Sequence, residues 1–245
     1  MTVVLKLGGS VITDKESPET VDDDALTAAV GTIADADPER LVLVHGGGSF
    51  GHVNAAQRGI SRTEASRDAA DVWAVHDAMR RLNDAVLQRL HDAGVAALPV
   101  HPLSVAAREE ADDLSLPLDS TATLLEEGFV PVLHGDVVGH AGSGAAIVSG
   151  DELVTRLASG LDADRVGLCS TVSGVYDADG EVIPKITDFA SVADALGEAE
   201  STDVTGGMAA KVRTLLALDA PAHIFGPASL SAFLAGGSAG TVIDG

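Results

Sequence analysis

Cysteine is all but missing from this sequence: Cys169 stands alone in 245 residues, which excludes a disulfide framework and a cysteine-built metal cluster. Its neighbours Val166-Gly167-Leu168 form an apolar run, so it reads as a small buried hydrophobe in a strand. Positive charge is also scarce. Fifteen Lys and Arg face 37 Asp and Glu, a net charge of −22 that repels nucleic acid and anionic membranes and suits a salt-rich cytosol where charges are screened. No apolar run reaches the length of a membrane span, and the first residues lack the basic and apolar regions of a secretory signal, so a soluble, cytoplasmic protein is expected. Pro-rich spacers, solenoid repeats and long charge blocks are absent as well, and the 46% hydrophobic content serves one domain over residues 1–245.

Glycine is plentiful, and it clusters where apolar runs end. Leu41-Val42-Leu43-Val44 reads as a buried strand and opens on His45-Gly46-Gly47-Gly48-Ser49-Phe50-Gly51-His52. With no Cβ in the way, the N–H groups of Gly46, Gly47 and Gly48 can turn toward one anion. Val3-Val4-Leu5 is a second apolar run, leading through Lys6 and Leu7 into Gly8-Gly9-Ser10 and on to Asp14-Lys15. This N-terminal loop follows neither the GxxxxGK[ST] nor the GxGxxG spacing. A third loop, Thr205-Gly206-Gly207-Met208, opens a helix with Lys211 one turn in, an arrangement that holds phosphate through free N–H groups and the helix dipole. The C-terminal ends of parallel strands share one edge, so the loops and their lysines can face a common crevice. Lys6, between two leucines at a strand end, is costly unless its ammonium meets an anion or water.

Between the loops, strands alternate with helices. A helix is expected over Val21 to Ala34, capped near Thr20 or Asp22, and an amphipathic one, or two in tandem, over Thr63 to Asp92. On the latter, Trp73, His76 and Met79 could line an apolar pocket, although packing is the commoner use of such a stripe. Further strands are expected over Val95 to Val100, Phe129 to Leu133, Arg165 to Cys169, His223 to Phe225 and Thr241 to Ile243, with a hairpin over Val137 to Val148. Leu118 to Glu127 reads as a short helix capped by Asp119 or Ser120, and Asp151 could cap the helix after Ser149-Gly150. The fold class is α/β, a three-layer α/β/α sandwich with a mainly parallel central sheet.

Three glycine loops with Lys6, Lys15 and Lys211 make a site for several phosphate charges, which fits phosphoryl transfer. Candidates for a general base are Asp14, His45, His52 and Asp151. If the acceptor is already an anion no base is needed, and His52 would donate a hydrogen bond to it.

Together, Lys6-Leu7-Gly8-Gly9-Ser10, the His45 to His52 stretch, Ser149-Gly150-Asp151 and Thr205 to Lys211 resemble the ordered motifs of the amino acid kinase superfamily, and most closely its archaeal isopentenyl phosphate kinases. The second histidine of the glycine loop and Lys15 are the more specific part of the match. The resemblance implies transfer of a phosphoryl group from ATP to isopentenyl phosphate, with Mg²⁺ held mainly by the phosphates, in an alternative mevalonate route of a halophilic archaeon. By the same resemblance Lys6, Gly8, Gly9 and Ser10 hold the transferring group, Lys15 stabilises the transition state, and Gly47, His52 and Gly150 bind the substrate phosphate. Gly48, Thr171, Tyr176, Gly207 and Lys211 lie on the ATP side, and Asp151 orients the lysines. It also implies a homodimer, an acceptor-binding lobe over about 1–150 and a nucleotide-binding lobe over about 151–245. Where many relatives carry acids near the nucleotide, this chain has Thr171 and Ser173. A same-fold kinase for a phosphonate such as fosfomycin or for an amino-acid carboxylate, and a catalytically silent nucleotide-binding regulator, remain alternatives.

Overall fold

Successive residues of a strand face opposite sides of its sheet, and this alternation decides the layers. In β1 (Thr2–Leu7), Val3, Leu5 and Leu7 face one side while Val4 and Lys6 face the other, and in β2 (Arg40–His45) Leu41 and Leu43 oppose Val42 and Val44. The computed structural model, which describes residues 1–109, 113–196 and 207–245, buries these sets in two separate cores.

The remaining strands are β3 (Ala97–Pro99), β4 (Ala107–Arg108), β5 (Leu114–Ser115), β6 (Val130–His134), β7 (Asp136–His140) and β8 (Gly144–Val148). They continue with β9 (Arg165–Cys169), β10 (Lys185–Ile186), β11 (Ala222–Phe225) and β12 (Thr241–Ile243). Among the described residues, eight strands form the main sheet in the order β10-β12-β11-β9-β1-β2-β6-β3. Pairing is parallel except between β11 and β12. The C-terminal ends of β1, β2, β6, β9 and β11 therefore lie along one edge, with Leu7 in register with both His45 and Cys169, and His45 with His134. A second sheet, β5-β4-β7-β8, holds the expected hairpin as β7 and β8. Its other members, like β10, are two-residue strands, too short to leave a period-2 signal in the sequence.

The helices are α1 (Gly9–Ile12), α2 (Asp23–Ala36), α3 (Gly48–Arg58), α4 (Ala69–Asp92), α5 (Pro102–Val105), α6 (Asp119–Glu126), α7 (Gly150–Gly160), α8 (Ala193–Leu196), α9 (Gly207–Leu216) and α10 (Leu230–Leu234). Helices α2, α4 and α10 pack Leu26, Ile33, Met79, Leu82, Val86 and Phe233 onto the Val3/Leu5/Leu7 face. On the opposite face α6, α7 and α9 bring Leu125, Leu153, Val154, Leu157, Val212 and Leu215 against Val4, Val42 and Val44. Each such fully buried side chain contributes about 1.5–3 kcal/mol. This is the three-layer arrangement expected from the alternation of elements.

Helix starts depart from expectation at three places, two of them because another side chain caps the first turn. α4 begins at Ala69, not near Thr63, because the Asp68 carboxylate accepts from the N–H groups of Ala70 and Asp71. The residues before it pair with the small sheet instead, Ser66 exchanging two backbone bonds with Ala145. α6 has Leu118 at its N-cap with no side-chain bond, and Asp119 is its first helical residue rather than its cap. α7 is capped by Ser149, whose Oγ accepts from Glu152 N while Glu152 Oε2 accepts from Ser149 N, so Asp151 is not a cap and its carboxylate is free for other work.

Candidate active site

Lys6 shares its sheet face with Val4, and that face packs on α7. Its ammonium consequently meets the first turn of α7, where Nζ donates to Asp151 Oδ1 at 2.6 Å. Lys211, in the first half of α9, brings Nζ to 3.5 Å from Asp151 Oδ2. One carboxylate thus holds two ammonium groups, with the three side chains 14%, 22% and 23% exposed for Lys6, Asp151 and Lys211. Burial pushes the Asp151 carboxyl up, but the charges and hydrogen bonds of both lysines outweigh it, leaving it below its ordinary range. Gly150 makes this approach possible: a Cβ there would sit 3.0 Å from Lys6 Cε.

Above the triad, the first two glycine loops are packed backbone against backbone. A Cβ on Gly9 would lie 2.0 Å from Gly48 N, and Gly48 itself has φ +48. Gly46, Gly48 and Gly51 spell a GxGxxG spacing, yet Gly51 is glycine for contact with Met79 Sδ. The expectation that Gly46, Gly47 and Gly48 all offer N–H groups to an anion is corrected at one position. Gly46 N donates to Leu7 O and Gly8 N to Cys169 O, continuing the sheet. The N–H groups of Gly9, Ser10, Gly47 and Gly48 have no protein acceptor among the described residues and remain available.

Thr13 ties the loops together, its Oγ1 donating to Gly9 O and accepting from Ser49 N. The loop carrying Lys15 is closed at its base by Asp14 N donating to Thr20 O and is hooked onto α3 by Glu19 N donating to Ser49 O. Glu19, at φ +51, accepts from Asn54 Nδ2 at 2.7 Å and from Arg81 Nη1 at 2.8 Å. Lys15 on this loop and His52 on α3 are both exposed and have no hydrogen bond or ion pair among the described residues. Thr171 is exposed just past β9 at the same edge, and Tyr176 accepts from Ser173 N through its hydroxyl. Gly207 opens α9, whereas Thr205 and Gly206 of the third loop lie outside the described residues.

Other candidates are placed elsewhere. His45 is fully buried beneath its loop, and burial takes its pKa down to about 4, so its ring is neutral. Nδ1–H donates to Gly46 O, and Nε2 faces the side-chain amide of Asn83 at 3.1 Å. Asp14 is spent on Glu16 N. Of the helical stripe, Met79 is packed in the core and Trp73 is 58% exposed, while His76 donates through Nδ1 to the buried Asp136. That pair raises the His76 pKa. Beside it His101 Nδ1–H donates to His134 Nε2, and His134 Nδ1–H to Gly135 O. This row of imidazoles escaped the sequence reading because its members come from β2, β6, α4 and the turn before α5. The one local signal was His134 and Asp136 flanking a glycine at a strand end. Among the described residues no three acidic, imidazole or thiol groups converge as a metal site. Cys169 is the buried hydrophobe expected, its thiol pushed up to about 12 by burial.

A sheet whose C-terminal edge carries two interlocked glycine loops, free N–H groups and a Lys–Asp–Lys cluster defines a class. The family model for the amino acid kinase family matches residues 1–222, and the chain belongs to that family. Within it the relatives it matches include isopentenyl phosphate kinases and, at 29% identity, acetylglutamate kinases. It is 69% identical over 244 residues to the isopentenyl phosphate kinase of Haloferax volcanii, covering 99% of this chain and 98% of that protein. It is 35% identical over 237 residues to that of Methanothermobacter thermautotrophicus, covering 88% and 86%. A solved structure of isopentenyl phosphate kinase matches with a TM-score of 0.83 at 28% identity over 98% of each chain.

Proposed function

We propose that the protein transfers the γ-phosphoryl group of ATP to isopentenyl phosphate, forming isopentenyl diphosphate and ADP. The observation that carries this reading is the pair of ammonium groups on Asp151, set beneath two interlocked loops that keep unpaired N–H groups. A phosphate oxygen of the acceptor attacks the γ-phosphorus as the bond to the ADP oxygen breaks. The acceptor is already an anion, so no general base is required. That agrees with His45, buried and hydrogen-bonded, and Asp151, ion-paired, being poorly suited to that role. The task is to neutralise and position the charge spread over the phosphoryl oxygens.

Lys6 and the backbone of Gly8, Gly9 and Ser10 hold the transferring group, and Asp151 keeps Lys6 and Lys211 aimed at it. Lys15 reaches in from its hooked loop to stabilise the transition state. Gly47, His52 and Gly150 receive the acceptor phosphate, with the His52 imidazole as donor. Gly48, Thr171, Tyr176, Gly207 and Lys211 serve the nucleotide. The acceptor is thus bound by a lobe up to about residue 150 and the nucleotide by the remainder. Magnesium supplies charge neutralisation on the nucleotide phosphates; Asp151, already matched by two lysines, is not its ligand. The protein works as a homodimer in a salt-rich cytoplasm, in an alternative mevalonate route to isoprenoids. No helix among the described residues is long and apolar enough to cross a membrane.

The test is ADP release with Mg-ATP in molar KCl, comparing isopentenyl phosphate, fosfomycin, acetylglutamate and no acceptor, for wild type and His52→Ala. Turnover confined to isopentenyl phosphate and lost in the variant supports the reading. Turnover with another acceptor moves the protein to a sister activity, and nucleotide binding without turnover sinks the catalytic reading.

A further inference from the structure

Arg108 is the largest fully buried side chain, at 0% exposure on the two-residue strand β4 of the small sheet. A guanidinium taken out of water costs several kcal/mol unless fully paired. Among the described residues this one is not fully paired: Nε and Nη1 have no partner there, and only Nη2 donates, to Glu152 Oε1 at 2.6 Å and to Ile147 O at 3.2 Å. Those two acceptors straddle one joint. Ile147 lies in β8, Glu152 in the first turn of α7, and between them come the cap Ser149, the Gly150 against which Lys6 rests, and Asp151. Arg62 Nε adds a weaker contact to the same Glu152 oxygen at 3.3 Å. Replacing a buried ion pair by well-packed apolar side chains is often neutral or stabilising, so the use of this arginine is sought in what it fixes.

We infer that Arg108 is a positioning residue for phosphoryl transfer: by gripping β8 and α7 at once it sets the angle at which Asp151 presents its carboxylate to Lys6 and Lys211. The inference deepens the proposed kinase reading and rests on it for the kinetic readout. It couples the small sheet, on the acceptor side, to the charge cluster on the nucleotide side through a joint of a few residues. A shift of the joint moves the carboxylate, and misplacement of about 1 Å is enough to cost orders of magnitude in rate.

The experiment uses the full chain and the variants Arg108→Met and Arg108→Lys. It reads kcat and KM with Mg-ATP and isopentenyl phosphate, the thermal midpoint, and the titration of the Asp151 carboxyl carbon by NMR, assigned with Asp151→Asn. Methionine fills the volume without charge, so R108M should stay folded while kcat falls about tenfold with acceptor KM nearly unchanged, and Asp151 should titrate higher than in wild type. Lysine keeps the charge but loses the planar fork, so R108K should fall between the two. Wild-type kcat and titration in R108M would overturn the inference. So would an R108K indistinguishable from wild type beside an impaired R108M, which marks a field effect, or a loss that only tracks the folded fraction. Should R108M fail to fold, R108K is judged by the same two readouts. Absence of wild-type turnover would refute the kinase reading, and the Asp151 titration would still decide the positioning role.

Discussion

Replacing Asp151 by Asn removes the single negative charge between Lys6 and Lys211 while keeping the shape of the side chain. The contacts at 2.6 and 3.5 Å correspond to gross attractions of about 6 and about 5 kcal/mol at an effective dielectric near 20. Desolvation offsets much of that, and the three side chains are partly wet, so the net loss on removing the shared partner is about 3 kcal/mol. What remains is two ammonium groups with nothing to hold them together, and they move apart. Their joint grip on the transferring phosphoryl group is an interaction of the transition state, so the loss should fall on kcat, by about 10² to 10³-fold, as for deletion of one preorganised donor. KM for ATP should rise far less. The assay is ADP release under saturating isopentenyl phosphate, accompanied by thermal unfolding to confirm that the variant is folded. A kcat within about threefold of wild type in a folded D151N would refute the argument that this carboxylate organises the site.

His52→Ala should leave the thermal midpoint in place, because the ring is exposed and unbonded, while KM for the acceptor rises and kcat falls about 10 to 100-fold in steady-state assays. Glu19→Ala removes the hooks to Asn54 and Arg81, so kcat should drop about tenfold, with faster proteolytic nicking of the Lys15 loop. Equal proteolysis rates would count against the hook. Gly9→Ala drives a Cβ into the Gly48 backbone and should abolish soluble expression, whereas Gly31→Ala, which meets open space in α2, should stabilise by up to about 1 kcal/mol in urea melts. His45 titrates near 4 when folded and near 6.5 when unfolded. The unfolded chain then binds more protons across that window, so stability is lost as pH falls from 7 to 5, by about 2 kcal/mol. His45→Gln should flatten that slope, and an unchanged slope would mean that the ring is not held neutral.

The parts of this architecture that were legible in the sequence are those decided by local pattern. The apolar runs ending on Lys6 and His45 announce strands, and the glycine clusters that follow them announce loops at one sheet edge, which is where those two are; most of the third loop lies outside the described residues. Legibility fails where a tertiary contact overrides local preference. Thr63 to Asp68 continues the periodicity of α4 in sequence, but Ser66 is claimed by Ala145 of the hairpin and Asp68 by the helix cap. Asp151 reads as a cap until Ser149 and Glu152 are seen to close the box without it. The glycines read as room for an anion, but Gly46 N–H is taken by Leu7 O, and Gly9 and Gly48 are also glycine for the close approach of the two loops' backbones. Arg108 leaves no signal and the row of imidazoles only the short His134-Gly135-Asp136 run, since their partners lie 33 to 60 residues away in the chain.

The scarcity of lysine sharpens the reading of the site. Lys6, Lys15, Lys185 and Lys211 are the lysines of the whole chain, and arginine supplies the rest of its positive charge. Lys185 pairs with Asp244 at the surface, as an ordinary exposed ion pair. The other three belong to the glycine loops or their flanks, and two of them converge on one carboxylate. Arginine serves the surface pairs of α4 at Arg80, Arg81 and Arg89, where a broad, weakly hydrated fork suffices. A compact, strongly hydrated point charge is retained where a phosphoryl oxygen must be met at short range by a group narrow enough to stand beside Gly150. Arginine at position 6 would bring a wider head against the same glycine and the same carboxylate. The composition of the chain and the geometry of its sheet edge therefore point to one chemistry.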